Sequence, residues 1–187
     1  MSENLFFERK DLRSCGVNVI IGKTARIRYP ELVDIGDNVI IDDFVYISTA
    51  LSLASWTHIS SGCKLIGGRT SVVSFDSFST IAPNVVLAAG SDDYFAGIAT
   101  PMIPMEFKGD AEIGSIRMGR HCVVGANTTV LPNTLFEDGA SLGAQSLAKG
   151  RLREWRIYGG VPAKELRLRN REKILELEER FKRSIRL

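Results

Sequence analysis

Apolar residues recur at every sixth position along much of this 187-residue chain. The pattern is clearest in residues 118–149, where consecutive steps begin at Met118, Val124, Val130, Phe136 and Leu142. The fifth position of each step is small: Cys, Thr, Thr, Ala and Ser in order. A period of six matches neither an α-helix, with about 3.6 residues per turn, nor the two-residue alternation of a strand. It matches a short strand and a turn repeated many times, which predicts a parallel β-helix.

The same period covers most of the chain before residue 92. Steps begin at Ile21, Ile27, Ile35, Ile41, Ile47, Leu53, Ile59, Leu65, Phe75, Ile81 and Leu87. Strands this short cannot bury their faces alone, so three steps form one triangular coil and successive coils stack about 4.8 Å apart. The spacing predicts five to six coils within residues 19–164. The first and fifth positions of each step are expected to lie inside the column.

Three segments fall outside the repeat. Residues 93–112 are the one long interruption, and they combine acids, prolines and large apolar residues, which favours an ordered, docked and functional loop. Residues 165–187 lack Gly and Pro and carry apolar residues at helical spacing, which predicts an amphipathic C-terminal helix. Residues 1–18 predict an N-terminal arm or short helix. The predicted fold is mainly β, a parallel β-helix with an inserted loop and a C-terminal α-helix.

The composition excludes several classes of protein. No apolar run reaches the roughly 18 residues that a membrane span needs, so we expect no membrane span. The N-terminus contains acids rather than the apolar core of a signal peptide, so we expect a cytoplasmic location. The three cysteines form no CxxC pair, which favours reduced thiols. Cys63 and Cys122 occupy small inward positions and are expected to fill the core.

Charge is distributed unevenly, although the formal net charge is only +2. Residues 149–187 carry 13 Lys and Arg against 6 Asp and Glu, whereas residues 1–148 carry 11 against 16. A basic end on an acidic body suits a polyanionic small molecule, while an ordinary solvated helix is the simpler explanation for any single charge. No P-loop, GxGxxG or nucleic-acid-binding module occurs, so we expect no nucleic acid partner. Two histidines argue against a three-histidine metal site, and we expect no metal.

Three features together resemble a known family. They are the six-residue frame, the Gly-Gly-Val-Pro-Ala-Lys ending at 159–164 before a basic segment, and the Ser-Asp-Asp-Tyr run at 91–94 with prolines after it. On these features the chain resembles the hexapeptide-repeat acyltransferases, whose fold is a left-handed parallel β-helix. The loop motif is similar to that of the sugar O- and N-acetyltransferases of surface-polysaccharide and lipopolysaccharide biosynthesis.

The resemblance implies a homotrimer with its active sites between neighbouring columns. It also implies acetyl-CoA, or another acyl-CoA, as co-substrate in a groove beside the upper coils, where small outward residues let the pantetheine arm approach the backbone. The basic end would then meet the phosphates of the cofactor. The residues that the resemblance places at the cofactor are Gly125, Ala126, Gly143, Ala144, Lys149, Pro162 and Lys164. Turn geometry alone also explains glycine at such positions.

The implied acceptor is an amino sugar linked to a nucleotide. Its amine arrives as an ammonium, and the resemblance assigns Asp92 (or Asp93) and Glu106 to attract it and help it lose a proton. Asp93 and Tyr94 are expected to bind the substrate, Tyr94 by stacking on a sugar or base. The alternative is that these acids pair with arginines or cap turns, and that Tyr94 is a packing residue.

His58 provides a different route to the same class of reaction. It occupies an outward position and would serve as a general base for the hydroxyl or the amine of the acceptor. With a hydroxyl as acceptor, the protein would be a sugar O-acetyltransferase. The alternative is a surface or trimer-interface histidine. His121 is also expected to point outward, with a direct role less favoured. Some relatives carry Ser where this chain has Ala82, so backbone amides would have to stabilise the oxyanion.

The predicted reaction is direct attack of the amine on the thioester. No acyl-enzyme is expected, because no activated Cys or Ser is evident in the sequence. A hypothesis from a different class is a non-catalytic β-helix that serves as a trimeric scaffold. The intact Gly-Gly-Val-Pro-Ala-Lys motif at 159–164 and the acidic loop argue against a scaffold.

Overall fold

The computed structural model describes residues 4–185, most of which form a triangular column of short parallel strands. We name its three faces in the order in which the chain first reaches them. Face I contains Ser14–Cys15, Val33–Ile35, Ser115–Met118, Thr134–Phe136 and Arg151–Leu152. Face II contains Ile20–Ile21, Ile40–Ile41, His58–Ile59, Thr80–Ile81, Val123–Val124, Ser141–Leu142 and Arg156–Gly159. Face III contains Arg26–Ile27, Val86–Ala88, Thr129–Val130 and Leu147–Ala148.

Two longer strands, Tyr46–Leu53 and Lys64–Phe75, bend around one corner and contribute to both face III and face I. The column has about seven turns, which is more than the five to six that the hexads predict. The additional strands lie at the two ends. Ser14–Cys15 completes the first coil by pairing in parallel with Val33–Ile35, and Arg156–Gly159 extends the last one by pairing with Ser141–Leu142. Residues 14–18 therefore belong to the column, and the short 3-10 helix Arg9–Asp11 precedes it.

The interior of the column follows the predicted positions. Residues at the first and fifth positions, such as Ile41, Val45 and Ile47, are almost fully buried, and so are Cys63 and Cys122. The fourth position of a step takes a left-handed backbone, with φ of 57° at Asn38 and 61° at Asn84. Asn and Gly tolerate this conformation at little cost, so each corner turn is encoded locally by the residue at that position.

At some levels of the corner between faces I and II, larger residues occupy the same left-handed position. Trp56, Phe78 and Trp155 have φ of 64°, 64° and 52° there. Aromatic residues gain nothing from this backbone, which costs on the order of 1 kcal/mol each, so packing must stabilise them. Phe181 of the C-terminal helix supplies it, with its ring edge-on to Trp56 at 4.8 Å and to Phe78 at 6.1 Å.

The C-terminal segment differs from the prediction at its start. Residues predicted as helix from 165 onward first form the strand Lys164–Leu168, which pairs antiparallel with Arg156–Gly159 at the end of face II. The helix runs over Arg171–Ser184, and the side chain of Asn170 caps it by accepting from the backbone N–H of Lys173 at 3.0 Å. The open edge of the last coil explains the difference, because it offers unpaired backbone groups that a strand satisfies and a helix does not.

The long loop leaves the column between faces III and I. Its neck is the antiparallel pair Gly90–Ser91 and Glu112–Ile113, and the short 3-10 helix Met105–Phe107 lies within it. Another 3-10 helix, Pro30–Leu32, lies at the same corner lower in the column. The loop does not dock on its own column as predicted, because Tyr94, Phe95 and Met102 are at least 90% exposed.

Candidate active site

His58 projects from face II toward the coil below it. Its Nε2 lies 2.9 Å from Oδ2 of Asp42, and its Nδ1 lies 3.5 Å from the hydroxyl of Thr80 in the coil above. With the proton on Nε2 donated to Asp42, Nδ1 is left to accept a proton from a hydroxyl. About 39% of the His58 side chain is exposed, so a substrate can reach it. The predicted outward position is confirmed, and the ring is held in one orientation.

Asp42 was not identified from the sequence, although a signal for it exists. Register places Ile41 opposite Ile59, so Asp42 and His58 are brought together by the height of one coil. An acid at the second position of one step and a histidine at the sixth position one coil later therefore mark neighbouring side chains. Carboxylate–imidazole pairs of this kind orient a base and stabilise its protonated form.

The second positions of successive steps form one vertical row on face II. The row runs from Gly22 through Asp42, Ser60, Ala82, Gly125 and Gly143, because each backbone N–H donates to a carbonyl in the next coil. His58 and the predicted cofactor glycines thus share one face. The backbone N–H of Ala82 is not available to stabilise an oxyanion, because it already donates to the carbonyl of Val124 at 2.9 Å.

Gly125 and Gly143 of this row have different physical explanations. A Cβ on Gly125 would overlap the backbone of Ala144 in the next coil, so stacking alone requires glycine there. A Cβ on Gly143 would meet no atom closer than the Tyr158 carbonyl oxygen at 3.4 Å, an ordinary contact. The backbone at 143 is therefore open to an external group, and the neighbouring Ala144 is exposed while Ala126 is half-buried.

A cavity of about 220 Å³ opens at the upper end of the column. Its lining includes Leu131, Leu147, Lys149, Tyr158, Pro162 and Ala163. The backbone N–H of Ala163 donates to the carbonyl of Leu147 at 2.8 Å, which fixes the Gly-Gly-Val-Pro-Ala-Lys ending against face III. Pro162 and Lys164 are exposed beside it. The cavity brings together Lys149 and Pro162 from the predicted cofactor residues.

Lys149 also connects this end to the long loop. Its Nζ lies 3.0 Å from Oε2 of Glu112 at the neck of the loop, and the amide of Asn133 donates to the other oxygen at 2.9 Å. The hydrogen bond from Lys149 holds the pKa of Glu112 below its usual value. More than half of the Lys149 side chain is exposed, so the ammonium remains accessible to a ligand.

The acids of the loop have different environments. The carboxylate of Asp93 accepts backbone N–H groups from Ala96, Phe95 and Asp110 at 2.8–3.1 Å, and these bonds lower its pKa. Asp93 therefore closes the loop on itself. Asp92 and Glu106 are exposed, and neither carboxylate has a cationic partner among residues 4–185. Tyr94 is 91% exposed and does not pack on this chain.

His121 is the sequence expectation that the structure corrects. It was expected to point outward, but only 10% of its side chain is exposed, because the C-terminal helix covers it. Its Nε2 lies 2.7 Å from Oε2 of the buried Glu178, and its ring stacks on Phe78 at 5.1 Å. Sequence spacing could not reveal this contact, since the helix returns from 57 residues away.

Neither a cluster of metal-binding side chains nor a membrane-spanning helix occurs in the described residues. Among residues 4–185, no group of three or more His, Cys, Asp or Glu side chains gathers as it would around a metal ion. In the same part of the chain, no helix has the length and apolar character needed to cross a membrane.

Comparison with known proteins places this fold and site in context. No family model matches the chain. It is 30% identical over 177 residues to dTDP-4-amino-4,6-dideoxy-D-glucose acyltransferase of Escherichia coli, covering 92% of this chain and 90% of the relative. It is 27% identical over 128 residues to the putative lipopolysaccharide biosynthesis O-acetyl transferase WbbJ of Escherichia coli K12, covering 68% of this chain and 62% of that protein.

Solved structures agree with these relatives. AntD, an N-acyltransferase from Bacillus cereus in complex with dTDP and 3-hydroxybutyryl-CoA, is 33% identical with a TM-score of 0.91, covering 98% of this chain and all of that one. A variant of AntD in complex with dTDP-4-amino-4,6-dideoxyglucose and coenzyme A superimposes with a TM-score of 0.89.

The fold and the relatives define the class: this protein is an acyltransferase built on a left-handed parallel β-helix. It belongs to the hexapeptide-repeat acyltransferases, in the group that contains the sugar O- and N-acetyltransferases.

Proposed function

We propose that this protein transfers an acyl group, acetyl in the first instance, from acyl-CoA to the amine of a dTDP-linked amino sugar in cell-surface polysaccharide biosynthesis. The observation that carries the proposal is the 30% identity to a dTDP-amino-sugar acyltransferase over 92% of this chain. The complexes of AntD with dTDP, with the dTDP-amino sugar and with coenzyme A support the same pair of substrates.

The proposal places the reaction between columns of a homotrimer. The loop at 92–111 supports this arrangement, because Tyr94, Phe95 and Met102 are at least 90% exposed on the single chain. Apolar side chains this exposed need cover, and a neighbouring column of the same chain offers it. A cytoplasmic location belongs to the same proposal, since acyl-CoA and nucleotide sugars are cytoplasmic substrates and the cysteines at 15, 63 and 122 are all free thiols.

In the proposed reaction, the amine attacks the thioester carbonyl directly. Asp92 or Glu106 takes the proton of the ammonium, because both carboxylates are exposed and without a cationic partner in the described chain. The C–N bond forms, the C–S bond breaks, and the coenzyme A thiolate leaves and is protonated. Asp93 holds the shape of the loop, and Tyr94 contacts the acceptor. No acyl-enzyme is needed, and burial raises the pKa of Cys63 to about 11 and that of Cys122 to about 12.

The cofactor in this proposal lies along the upper coils. Its pantetheine arm passes Gly143 and Ala144, where the backbone is open, and continues past Gly125 and Ala126. Its phosphates meet Lys149 and Lys164 beside the cavity that Pro162 lines, since lysine ammonium groups attract phosphate as point charges.

Sugar O-acetylation is the second candidate. The His58–Asp42 pair favours it, because the 2.9 Å contact orients an imidazole that is accessible to a hydroxyl. The 27% identity to the putative O-acetyl transferase WbbJ points the same way.

A thiol-release assay with acetyl-CoA and a panel of dTDP-linked sugars, with and without an amine, tests the proposal. At least one of Asp92→Asn and Glu106→Gln should lower kcat by roughly 100-fold or more, as for loss of a general base, and neither should change Tm. Asp110→Asn is the control, because it removes an exposed carboxylate of the same loop.

The outcomes separate the candidates. If His58→Ala abolishes activity while Asp92→Asn and Glu106→Gln do not, the O-acetyltransferase mechanism gains support. If acetyl-CoA neither raises Tm nor releases thiol with any sugar, the proposed acetyl transfer is wrong and the scaffold hypothesis gains support.

A further inference from the structure

The outward surface of face III changes character along the column. One row of outward side chains runs through Arg26, Tyr46, Lys64 and Val86, since each residue is opposite the next in register. The row continues above Val86 through less polar residues, Thr129 and Leu147. The lower three coils are therefore basic and aromatic, whereas the upper coils are largely apolar until Lys149.

Arg28 adds a second basic group to the lower surface. It lies two residues beyond Arg26, or roughly 6.6 Å along the strand. A hydrogen bond with Tyr46 raises the pKa of Arg28, and its guanidinium lies 5.5 Å from the centre of the Tyr29 ring. Arg69 stacks on the same ring at 4.8 Å, so Tyr29 lies between two guanidinium groups. The head of Arg28 is thus held by two aromatic side chains.

The charge of this surface has no counterpart within the described chain. Arg69 pairs with Glu31 at 2.8 Å, but Arg26, Arg28 and Lys64 form no ion pair with any carboxylate of residues 4–185. All three side chains are exposed. Three unpaired cations at neighbouring positions repel one another, which is a cost that an anionic ligand removes.

The basic surface lies close to the long loop along the column. Lys64 is one strand below Val86, and the strand Val86–Ala88 leads into the loop at Asp92. The basic surface therefore lies one to three strand spacings, or roughly 5–14 Å, below the strand that precedes the loop acids. The cavity with Lys149 and Pro162 lies at the other end of the same face. An acceptor bound from below and a cofactor bound from above would meet near the loop.

From this arrangement we propose that Arg26, Arg28 and Lys64, with Tyr29 and Tyr46, form the binding site for a nucleoside diphosphate group. Planar guanidinium groups that are held in place match phosphate oxygens in paired hydrogen bonds, and Lys64 adds a point charge. The diphosphate is that of the acceptor rather than of coenzyme A, because the cofactor cavity is at the opposite end. This inference rests on the proposed function in taking the acceptor to be nucleotide-linked.

Titration calorimetry with dTDP and, separately, with coenzyme A tests the site on the full-length protein. Arg28→Gln and Lys64→Gln should each weaken dTDP binding about tenfold, and Arg26→Gln with Arg28→Gln together should weaken it more. Coenzyme A binding should change by less than twofold. Arg117→Gln is the matched control, because Arg117 is an exposed outward arginine on face I. Its dTDP affinity should equal that of the parent protein.

Steady-state kinetics adds the second measurement. With the dTDP-amino sugar as acceptor, the KM of the sugar should rise in Arg28→Gln and Lys64→Gln, while the KM of acetyl-CoA and kcat stay within twofold. Unchanged dTDP affinity in both variants, with active enzyme, overturns the site and leaves the proposed function intact. Weakened dTDP affinity without acyl transfer to any nucleotide sugar supports the site and overturns the proposed function. Weaker binding of coenzyme A alone assigns the surface to the cofactor and overturns our proposal.

Discussion

His121 and Glu178 meet although they are 57 residues apart in the chain, with His121 Nε2 at 2.7 Å from Glu178 Oε2. Only 3% of the Glu178 side chain is exposed, and Arg120 and Lys182 also pair with it. One carboxylate thus joins the corner of the column to the C-terminal helix. It satisfies three donors, two of which belong to the column.

We expect Glu178→Gln to loosen the helix. The amide cannot accept from all three donors, so the free energy of unfolding should fall by roughly 1–3 kcal/mol. Urea unfolding followed by tryptophan fluorescence measures it, because Trp56 lies edge-on to Phe181 of the helix. Glu179→Gln, one residue further and exposed, should change stability by less than about 0.5 kcal/mol. Equal stability of the two variants would contradict a role of Glu178 as the anchor.

The stability that Glu178 contributes should be lost in acid. Burial alone would raise the pKa of Glu178, but hydrogen bonds from Lys182 and His121 and the charge of Arg120 hold it below its usual value. A lowered pKa in the folded state stabilises the fold above the unfolded value and ceases to do so as pH falls through the folded one. Stability attributable to Glu178 should therefore be present at neutral pH and be lost below roughly pH 4. Acid titrations of the parent and Glu178→Gln should converge there, and a constant difference down to pH 2 would contradict this.

Asp93→Asn should open the long loop without disturbing the column. The carboxylate accepts three backbone N–H groups, whereas an amide has one oxygen and its NH₂ would face a donor. Lys108 is the only trypsin site within residues 92–111, so the rate of cleavage there reports the opening of the loop. We expect cleavage several times faster in Asp93→Asn and unchanged in Asp110→Asn. Equal rates would show that Asp93 does not close the loop.

Replacement by alanine should have different effects at two glycines of face II. Gly125→Ala forces a Cβ into the backbone of Ala144, so it should destabilise the column by about 1–3 kcal/mol. Gly143→Ala finds ordinary space within the chain, with 3.4 Å to the carbonyl oxygen of Tyr158. It should keep its Tm and raise the KM of acetyl-CoA, because the methyl group occupies the proposed path of the pantetheine arm. An unchanged KM in a stable Gly143→Ala variant would move the cofactor elsewhere.

The buried thiols should be unreactive in the folded protein. Burial raises the pKa of Cys63 to about 11 and that of Cys122 to about 12, so almost no thiolate exists at neutral pH. At pH 8, a thiol reagent should label Cys15, which is half-buried, and reach the other two only after unfolding. Cys15→Ser should abolish the labelling of the native protein. Rapid labelling of Cys122 in the folded state would reopen the question of an acyl-enzyme.

Much of the column was predictable because its signal is local. Each step of six contains its own two inward residues and its own turn residue. The burial of Ile41 and the turn at Asn38 can therefore be predicted from residues within one step. The first strand of the first coil was missed because Cys15 stands where most later steps begin with Ile or Leu, and so gives a weaker apolar signal. The strand Lys164–Leu168 was missed because the open edge of the preceding coil decides it, against a helical pattern in its own residues.

The candidate site shows the same division. The β-helix, the buried cysteines and the outward position of His58 could be predicted from the sequence, since all three follow from a fixed period. The sequence also identified 93–112 as the interruption of the repeat. The structure was needed to show that Asp93 closes its own loop and that Glu178 covers His121. These contacts depend on the conformation of the loop and on the path of a returning helix, and sequence spacing does not relate the residues that make them.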